Sequence, residues 1–182
     1  MKKIVLAITG ASGALYAKQF IDFVRPLTEV QLDVVASANG MRIFHDELSL
    51  DLGEYWPRVC ANTNFDVPFV SGSACADVMV ILPCSMGTLG RIAGGFSNDV
   101  ITRTADVMLK ERKKLILVPR EMPFNQIHLK NMLTLDQAGA VILPAMPSFY
   151  SCPQTIEALS QTVVTRVLDH AGIPNELMKR WG

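Results

Sequence analysis

Five short apolar runs, rich in Val, Ile and Leu, recur along this chain and constrain its fold more than any other feature. Each run has the length of a strand, and each is followed by a stretch whose apolar residues recur at helical spacing. Continuously apolar strands are typical of a parallel sheet that is covered on both faces. The predicted strands are residues 4–9, 30–36, 77–83, 115–119 and 140–143.

The segments between these runs predict the helices that connect the strands. Alternating strands and helices favour an α/β fold, here a doubly wound, Rossmann-like (flavodoxin-like) parallel sheet with helices on both faces. Residues 49–76 hold several Gly, Pro and Asn residues, which indicates an irregular excursion within one domain, residues 1–182. The predicted helices are residues 12–27, a helix containing Met41, Phe44 and Leu48, and residues 85–96, 99–112, 125–137, 155–171 and 174–181.

Charge and composition exclude several classes of partner. Lys and Arg number 17 and so do Asp and Glu, so no net positive charge would attract nucleic acid. No apolar run approaches the ~20 residues of a membrane span, and the first run is too short for a signal peptide, which predicts a cytoplasmic protein. Charged residues make up only 19%, so we expect some apolar surface to be buried between subunits.

Two strand ends carry small and hydroxylated residues where a helix is predicted to begin. The first reads Thr9-Gly10-Ala11-Ser12-Gly13, and the other reads Pro83-Cys84-Ser85-Met86-Gly87-Thr88. Ligands of parallel sheets bind at the carboxyl ends of strands, and helix N-termini favour anions. Both loops therefore indicate a phosphate or cofactor site, although a tight turn with Ser12 as a helix cap explains the first one equally simply.

The same loops argue against a nicotinamide dinucleotide. That fingerprint requires G-x-G-x-x-G and an acidic residue ~20 positions on, whereas this chain offers Gly10 and Gly13 and has Ser37 in place of the acid. A short-chain dehydrogenase would need Tyr-x-x-x-Lys, and none of the three tyrosines has a lysine at that spacing.

Charged residues in the second half of the chain are further candidates for the ligand site. Arg120 and Glu121 follow the fourth predicted strand at its carboxyl end, where side chains point into a ligand crevice. Cys84 is interpreted as a small buried thiol, and the four widely spaced cysteines with no histidine at ligand spacing predict no metal site.

Longer motifs resemble those of the UbiX-type flavin prenyltransferases. The matching segments are TGASGA at 9–14, PCSMGTL at 83–89, TRTADVMLKERKKLILVPREMPF at 102–124, HLKNML at 128–133 and GAVILPAMPSFYSCPQ at 139–154. The resemblance implies transfer of a dimethylallyl group from dimethylallyl phosphate to N5 and C6 of reduced FMN. It also implies metal independence, a homododecamer with active sites at subunit junctions, and a prenylated FMN product used by a UbiD-type decarboxylase.

The resemblance also implies roles for individual residues. FMN would be bound by Gly10, Ala11, Ser12, Ser37, Ser85, Met86, Gly87, Thr88, Arg103 and Arg120. Lys110, Glu121, Tyr150 and Arg166 would hold or protonate the prenyl phosphate, Ser12 and Glu47 would relay a proton, and Trp181 would offer a π face to the allyl cation. One departure is Ala38, because many relatives have lysine there.

Two other functions remain open at this point. A cysteine-decarboxylating flavoprotein would share the fold and FMN, but that group carries a P-A-S-A-N-T loop and a catalytic histidine where this chain has PCSMGT. A non-enzymatic flavin carrier would need the FMN loops alone and would have no use for Lys110, Glu121, Tyr150 and Arg166 together.

Overall fold

A single parallel sheet organises the computed structural model, which describes residues 1–180. Within those residues the strand order is β3-β2-β1-β4-β5-β6, and omitting the short edge strand β3 leaves the flavodoxin order. The predicted doubly wound sheet is therefore confirmed. The strands are β1 (Lys2–Ile8), β2 (Val30–Ala36), β3 (Val59–Ala61), β4 (Val78–Cys84), β5 (Lys114–Pro119) and β6 (Val141–Ile142).

Helices cover both faces of the sheet, because the side chains of each strand alternate between two cores. In β1, Ile4, Leu6 and Ile8 face the core that holds α1 and α7, whereas Val5 and Ala7 face the core that holds α4 and α5. All five are at most 1% exposed. The helices are α1 (Ala14–Val24), α2 (Ala38–Leu48), α3 (Leu52–Tyr55), α4 (Met86–Ala93), α5 (Val100–Lys110), α6 (Gln126–Gln137) and α7 (Ile156–Ala171), with two 3₁₀ turns at Pro68–Val70 and Gly72–Ala74.

Two sequence-based predictions need correction. The excursion at 49–76 contains β3, which escaped notice because its three residues lie among turn-forming residues and it pairs only with β2 at the sheet edge. The predicted helix at 174–181 is absent from its described part, residues 174–180, which forms bends and irregular chain. Asn175 and Arg180 in that segment both donate hydrogen bonds to Asp169 at the end of α7. A helix over these residues would turn the two side chains away from Asp169.

A crevice opens where β1 and β4 lie side by side. These neighbouring strands pair in parallel from Ile4 with Val78 to Ala7 with Ile81. The helices that follow them, α1 and α4, pack on opposite faces of the sheet, so the chain leaves the two strand ends in opposite directions. Ligand sites of doubly wound sheets lie at such a point. Within residues 1–180 the structure offers no helix with the length and apolarity of a membrane span.

Candidate functional site

Thr9 joins the two strand-end loops that the sequence singled out. Its buried hydroxyl donates to the Pro83 carbonyl at 2.8 Å and accepts from the Ser85 amide at 2.8 Å. Because this side chain at the end of β1 binds two backbone groups of the β4–α4 turn, the first turn and the β4–α4 turn are held in a fixed relation. The loops thus form one floor for the crevice.

The first turn is occupied by a carboxylate of the chain itself. Gly13 has φ 115°, which only glycine adopts readily, and it begins α1 without a side-chain cap of its own. Glu47, on α2, supplies the missing acceptor: its carboxylate receives the Gly13 amide at 2.9 Å and the Ala14 amide at 2.8 Å. The Ser12 hydroxyl lies beside this carboxylate and helps to lower its pKa. Ser12 and Glu47 therefore lie side by side, and their role in a proton relay stays a prediction.

The surroundings of Glu47 keep it ionised. Partial burial would raise its pKa, but the hydrogen bonds from Ser12, Gly13 and Ala14, together with the nearby Arg120 guanidinium, outweigh burial and lower the pKa. Tyr16 lies in the same field, and its pKa is raised by burial and by Glu47, with Arg120 opposing. The site therefore combines a carboxylate with a phenol that stays protonated at neutral pH.

Arg120 links this cluster to an apolar crevice. Its Nε donates to the Ser12 carbonyl at 3.1 Å, which fixes the guanidinium above the first turn. Arg120 and Glu121 also line a cavity of about 420 Å³. Its full lining is residues 119–124 and 144–147. Pro, Met and Phe side chains dominate these walls, so the cavity suits an apolar or aromatic guest. Glu121 accepts a hydrogen bond from the Met122 amide at 3.0 Å.

A second, more polar cavity of about 350 Å³ lies between the N-termini of α2 and α4. Ser37 caps α2 by accepting the Gly40 amide at 3.0 Å, and Ser85 caps α4 and donates to the Thr88 hydroxyl at 3.0 Å. At Gly10 an added Cβ would meet the Asn39 Cβ at 2.7 Å, so the close approach of these two residues requires glycine. The lining residues are Gly10, Ser37, Asn39, Ser85, Gly87, Thr88 and Arg91.

The remaining predicted cations lie elsewhere in the single copy. Lys110 ends α5 four residues before β5 begins, and neighbouring Lys113 lies 3.9 Å from Asp77, which precedes β4. Strand starts mark the edge of the sheet opposite the crevice, so Lys110 lies at that edge, where it pairs with Glu111.

Arg166 lies in the half of α7 nearer the same edge. Its Nη1 is 2.9 Å from Asp169, which also binds Arg180 at 2.6 Å. Just beyond the helix, the Gly172 carbonyl accepts a hydrogen bond from Lys2, the first residue of β1. One copy of the chain therefore does not bring Lys110 and Arg166 to the Ser12–Glu47 cluster.

Three further predicted site residues are Arg103, Tyr150 and Trp181. Arg103 donates to the Val70 carbonyl at 3.1 Å and pairs with Asp106 at 2.7 Å, so its guanidinium braces a loop on the α5 side. Tyr150 is 45% exposed in the loop before α7, within the electrostatic range of Arg180. Trp181 lies outside the described residues.

Comparison with known proteins agrees with a flavin site at this edge of the sheet. The flavoprotein family model matches residues 1–168. The flavin prenyltransferase UbiX of Methanocaldococcus jannaschii is 46% identical over 99% of this chain and 98% of its own length. The chain belongs to the UbiX family of flavin prenyltransferases.

Solved structures agree with this membership of the UbiX family. The crystal structure of AnUbiX in complex with FMN and dimethylallyl pyrophosphate is 40% identical, with a TM-score of 0.95 over 100% of this chain and 97% of that one. The dodecameric FMN-dependent UbiX-like decarboxylase from Escherichia coli O157:H7 is 35% identical, with a TM-score of 0.95 and 99% coverage of both chains.

Cys84 has no access to this UbiX-type crevice. It is fully buried, and burial raises the pKa of its thiol to about 12, so a thiolate is not available at neutral pH. No group of three or more His, Cys, Asp or Glu side chains within residues 1–180 is arranged to hold a metal ion.

Sequence reasoning missed three residues of the site. In the sequence Tyr16 is one of three tyrosines without a lysine four positions on, yet its position in the first turn of α1 places it beside the Glu47 cap. Asn39 and Arg91 line the polar cavity because they follow the two cap serines on α2 and α4. The signal that could have found them is helical spacing, since residues two to six positions beyond a cap share the first turns of the helix.

Proposed function

We propose that this chain transfers a dimethylallyl group from dimethylallyl phosphate to N5 and C6 of reduced FMN, forming prenylated FMN. The observation that carries this proposal is the Ser12–Glu47–Arg120 cluster, which lies between a polar cavity and an apolar cavity at the carboxyl edge of the sheet. Family membership supports it, since the AnUbiX structure contains both FMN and dimethylallyl pyrophosphate.

The polar cavity fits the phosphate of FMN by its donor set. Hydroxyls of Ser37, Ser85 and Thr88 stand at two helix N-termini, where backbone amides and helix dipoles favour an anion. Gly87 leaves room for the phosphate to approach the backbone, since an added Cβ there would meet nothing within 4 Å. Residues 10–12 and Arg120 would then border the flavin ring, and Met86 and Arg103 complete the proposed FMN set.

Ser12 and Glu47 are proposed to move the proton that alkylation releases. Bonding the prenyl group to C6 of the flavin displaces a proton from that carbon. Because the pKa of Glu47 is lowered, its carboxylate is ionised at neutral pH and can accept a proton through the Ser12 hydroxyl. The dimethylallyl carbon–oxygen bond breaks as N5 is alkylated, N5 loses its proton, and the leaving phosphate takes up the electron pair. Bonding to C6 consumes the prenyl double bond: one of its carbons takes up a proton, and the other bonds to C6.

The prenyl phosphate needs cations that one copy of the chain keeps apart. Glu121 lines the apolar cavity, whereas Lys110 and Arg166 lie toward the other edge of the sheet. We infer that copies of the chain complete one another's sites in a homo-oligomer, with a dodecamer as the expected assembly because a relative is dodecameric. Large apolar side chains near the cavity suit such contacts: Met122, Met146 and Phe149 are 87%, 66% and 69% exposed.

Lys110, Tyr150, Arg166 and Glu121 would together neutralise and protonate the leaving phosphate. Charge-assisted hydrogen bonds from guanidinium, ammonium and phenol groups can do this without a metal ion. Trp181 is proposed to face the developing allyl cation. We further propose that the chain acts as one domain, residues 1–182, and that its product is delivered to a UbiD-type decarboxylase.

Mass spectrometry of the flavin tests the proposed activity. The protein, FMN and dimethylallyl phosphate are combined under reducing conditions, and we expect a flavin heavier by one prenyl unit. Recovery of unaltered FMN from folded, FMN-bound protein contradicts prenyl transfer and favours a flavin carrier. Turnover of a peptide with a C-terminal cysteine by the same preparation would instead support the cysteine-decarboxylating alternative.

Complementation between two inactive variants tests whether residues from two copies of the chain form one active site. Lys110→Ala and Glu47→Gln are each expected to lose at least about 100-fold in prenyl transfer. Hybrid oligomers made by co-expressing the two variants should recover a substantial fraction of wild-type activity, because some junctions then combine an intact Lys110 with an intact Glu47. Hybrid oligomers as inactive as either parent would mean that each site is built within one copy.

A further inference from the structure

The polar cavity between α2 and α4 contains one charged side chain. Of the described residues that line it, Arg91 alone carries a charge, and the others offer hydroxyls, an amide side chain and backbone groups. Ala38, the first residue of α2, carries no charge. A phosphate dianion seated there therefore depends on Arg91 for the compensating charge that neutral donors lack.

Arg91 is placed to reach the N-terminus of its own helix. It lies four residues beyond Gly87, so the two positions are stacked on one face of α4. Helical side chains lean toward the N-terminus, which carries the guanidinium back toward Ser85 and Thr88. The side chain is 39% exposed and thus open to a ligand.

Asp99 fixes the orientation of this guanidinium. Its Oδ2 accepts a hydrogen bond from Arg91 Nη1, while its Oδ1 accepts the Thr102 amide at 2.8 Å in the capping box of α5. The carboxylate is only 14% exposed and faces the positive end of α5, so its own charge is compensated on that side. Arg91 has five N–H donors, and the remaining ones stay available for the cavity.

We propose that Arg91, positioned by Asp99, binds the phosphate of FMN and gives this chain its preference for FMN over riboflavin. This assignment rests on the proposed function, because it requires flavin in the crevice. It extends the site beyond the two serine-capped helix ends to the second turn of α4. Asp99 acts through Arg91 and is a positioning residue.

Titration with two flavins separates phosphate binding from a structural role. FMN and riboflavin differ by the phosphate, so the ratio of their dissociation constants isolates its contribution. For Arg91→Gln we expect FMN affinity to fall about 10- to 100-fold, the loss typical of a charge-assisted hydrogen bond, while riboflavin affinity changes less than about two-fold. Arg91→Lys should recover part of the ratio, and Arg42→Gln, an exposed change on α2, should match the wild type.

The outcomes distinguish the two proposals. An equal fall in both affinities for Arg91→Gln, or no change in either, overturns the role of Arg91 in phosphate binding. In that case the proposed function still stands if the variant prenylates FMN at saturating concentration. A wild-type protein that binds neither flavin overturns both. If Arg91→Gln folds poorly by circular dichroism, Arg91→Lys decides the question. If Arg91 is purely structural, the ratio of the FMN and riboflavin dissociation constants in Arg91→Lys equals the wild-type ratio; if Arg91 binds the phosphate, the ratio shifts toward weaker FMN binding.

Discussion

The β1–α1 turn and the β4–α4 turn have similar sequences, but the first binds a carboxylate of the chain and the second faces an open cavity. Both are runs of small residues with a serine, and both lead from a central strand into a helix. In the first turn the amides of Gly13 and Ala14 bind Glu47, a carboxylate of the chain itself. In the second, Ser85 caps its own helix, and the cavity in front of it stays open.

The difference separates chemistry from binding. A turn filled by an internal carboxylate cannot take a ligand phosphate, because two anions would compete for the same amides. It can instead hold that carboxylate at a defined position beside Ser12 and Arg120. A loop of glycine and serine at a strand end is therefore not enough to locate a phosphate site; the residue opposite the loop decides.

The largest effect is expected for Glu47→Gln. The amide retains an oxygen for the Gly13 and Ala14 amides but cannot take up a proton, so prenyl transfer should fall about 10²- to 10⁴-fold. FMN affinity should change little, because the phosphate is assigned to the other turn. Rates of prenyl-FMN formation and FMN titration measure the two quantities. Asp46→Asn, an exposed neighbour on α2, serves as the control. Loss of FMN binding in Glu47→Gln would contradict the assignment of binding to the β4–α4 turn and of catalysis to the β1–α1 turn.

A smaller effect is expected from displacing Asn39, which lines the open cavity. Gly10→Ala adds a Cβ whose nearest contact is the Asn39 Cβ at 2.7 Å, which forces the start of α2 away from β1. We expect FMN affinity to fall about ten-fold, comparable to a 1–3 kcal/mol cost of overpacking. Adding Asn39→Gly removes the clash and should restore part of the affinity. A double variant as weak as Gly10→Ala alone would mean that the contact with Asn39 does not cause the loss.

The smallest effect concerns acid stability. Because the folded-state pKa of Glu47 is lowered, its stabilising contribution is complete above the ordinary value of 4.5 and is lost as pH falls through the folded value. Wild type should exceed Glu47→Gln in melting temperature at pH 7 by at most about 2–4 °C, the effect of one charged helix cap. Thermal scans between pH 3 and 7 should show the difference shrink with acid; a constant difference would mean that charge is irrelevant to the cap.

The sequence predicted the sheet well because its strands are buried on both faces and are therefore continuously apolar. It predicted Ser12, Glu47, Arg120 and the two loops, which the structure brings to one edge. It failed at β3, where three residues are too few for a pattern, and at residues 174–180, which Asp169 organises from a distance.

The separation of Lys110 and Arg166 from the crevice had a signal that went unused. A helix that leads into a parallel strand must end at the edge where that strand begins, so Lys110, four residues before β5, belongs to the far edge. For Arg91, helical spacing places the residue near Ser85 but does not place its guanidinium. Its position depends on the contact with Asp99 across two helices, which spacing along one helix cannot reveal.

The pairing of β1 with β4 also bears on how the protein is made. The residue pairs between them are 74 positions apart, so during synthesis β1 waits for its second neighbour until β4 has left the ribosome. Such long-range pairing slows folding, because the intervening loop must close before the contact stabilises it. The Thr9 link to Pro83 and Ser85 cannot form earlier. A nascent chain shorter than about half its final length thus has no floor on which to hold a flavin.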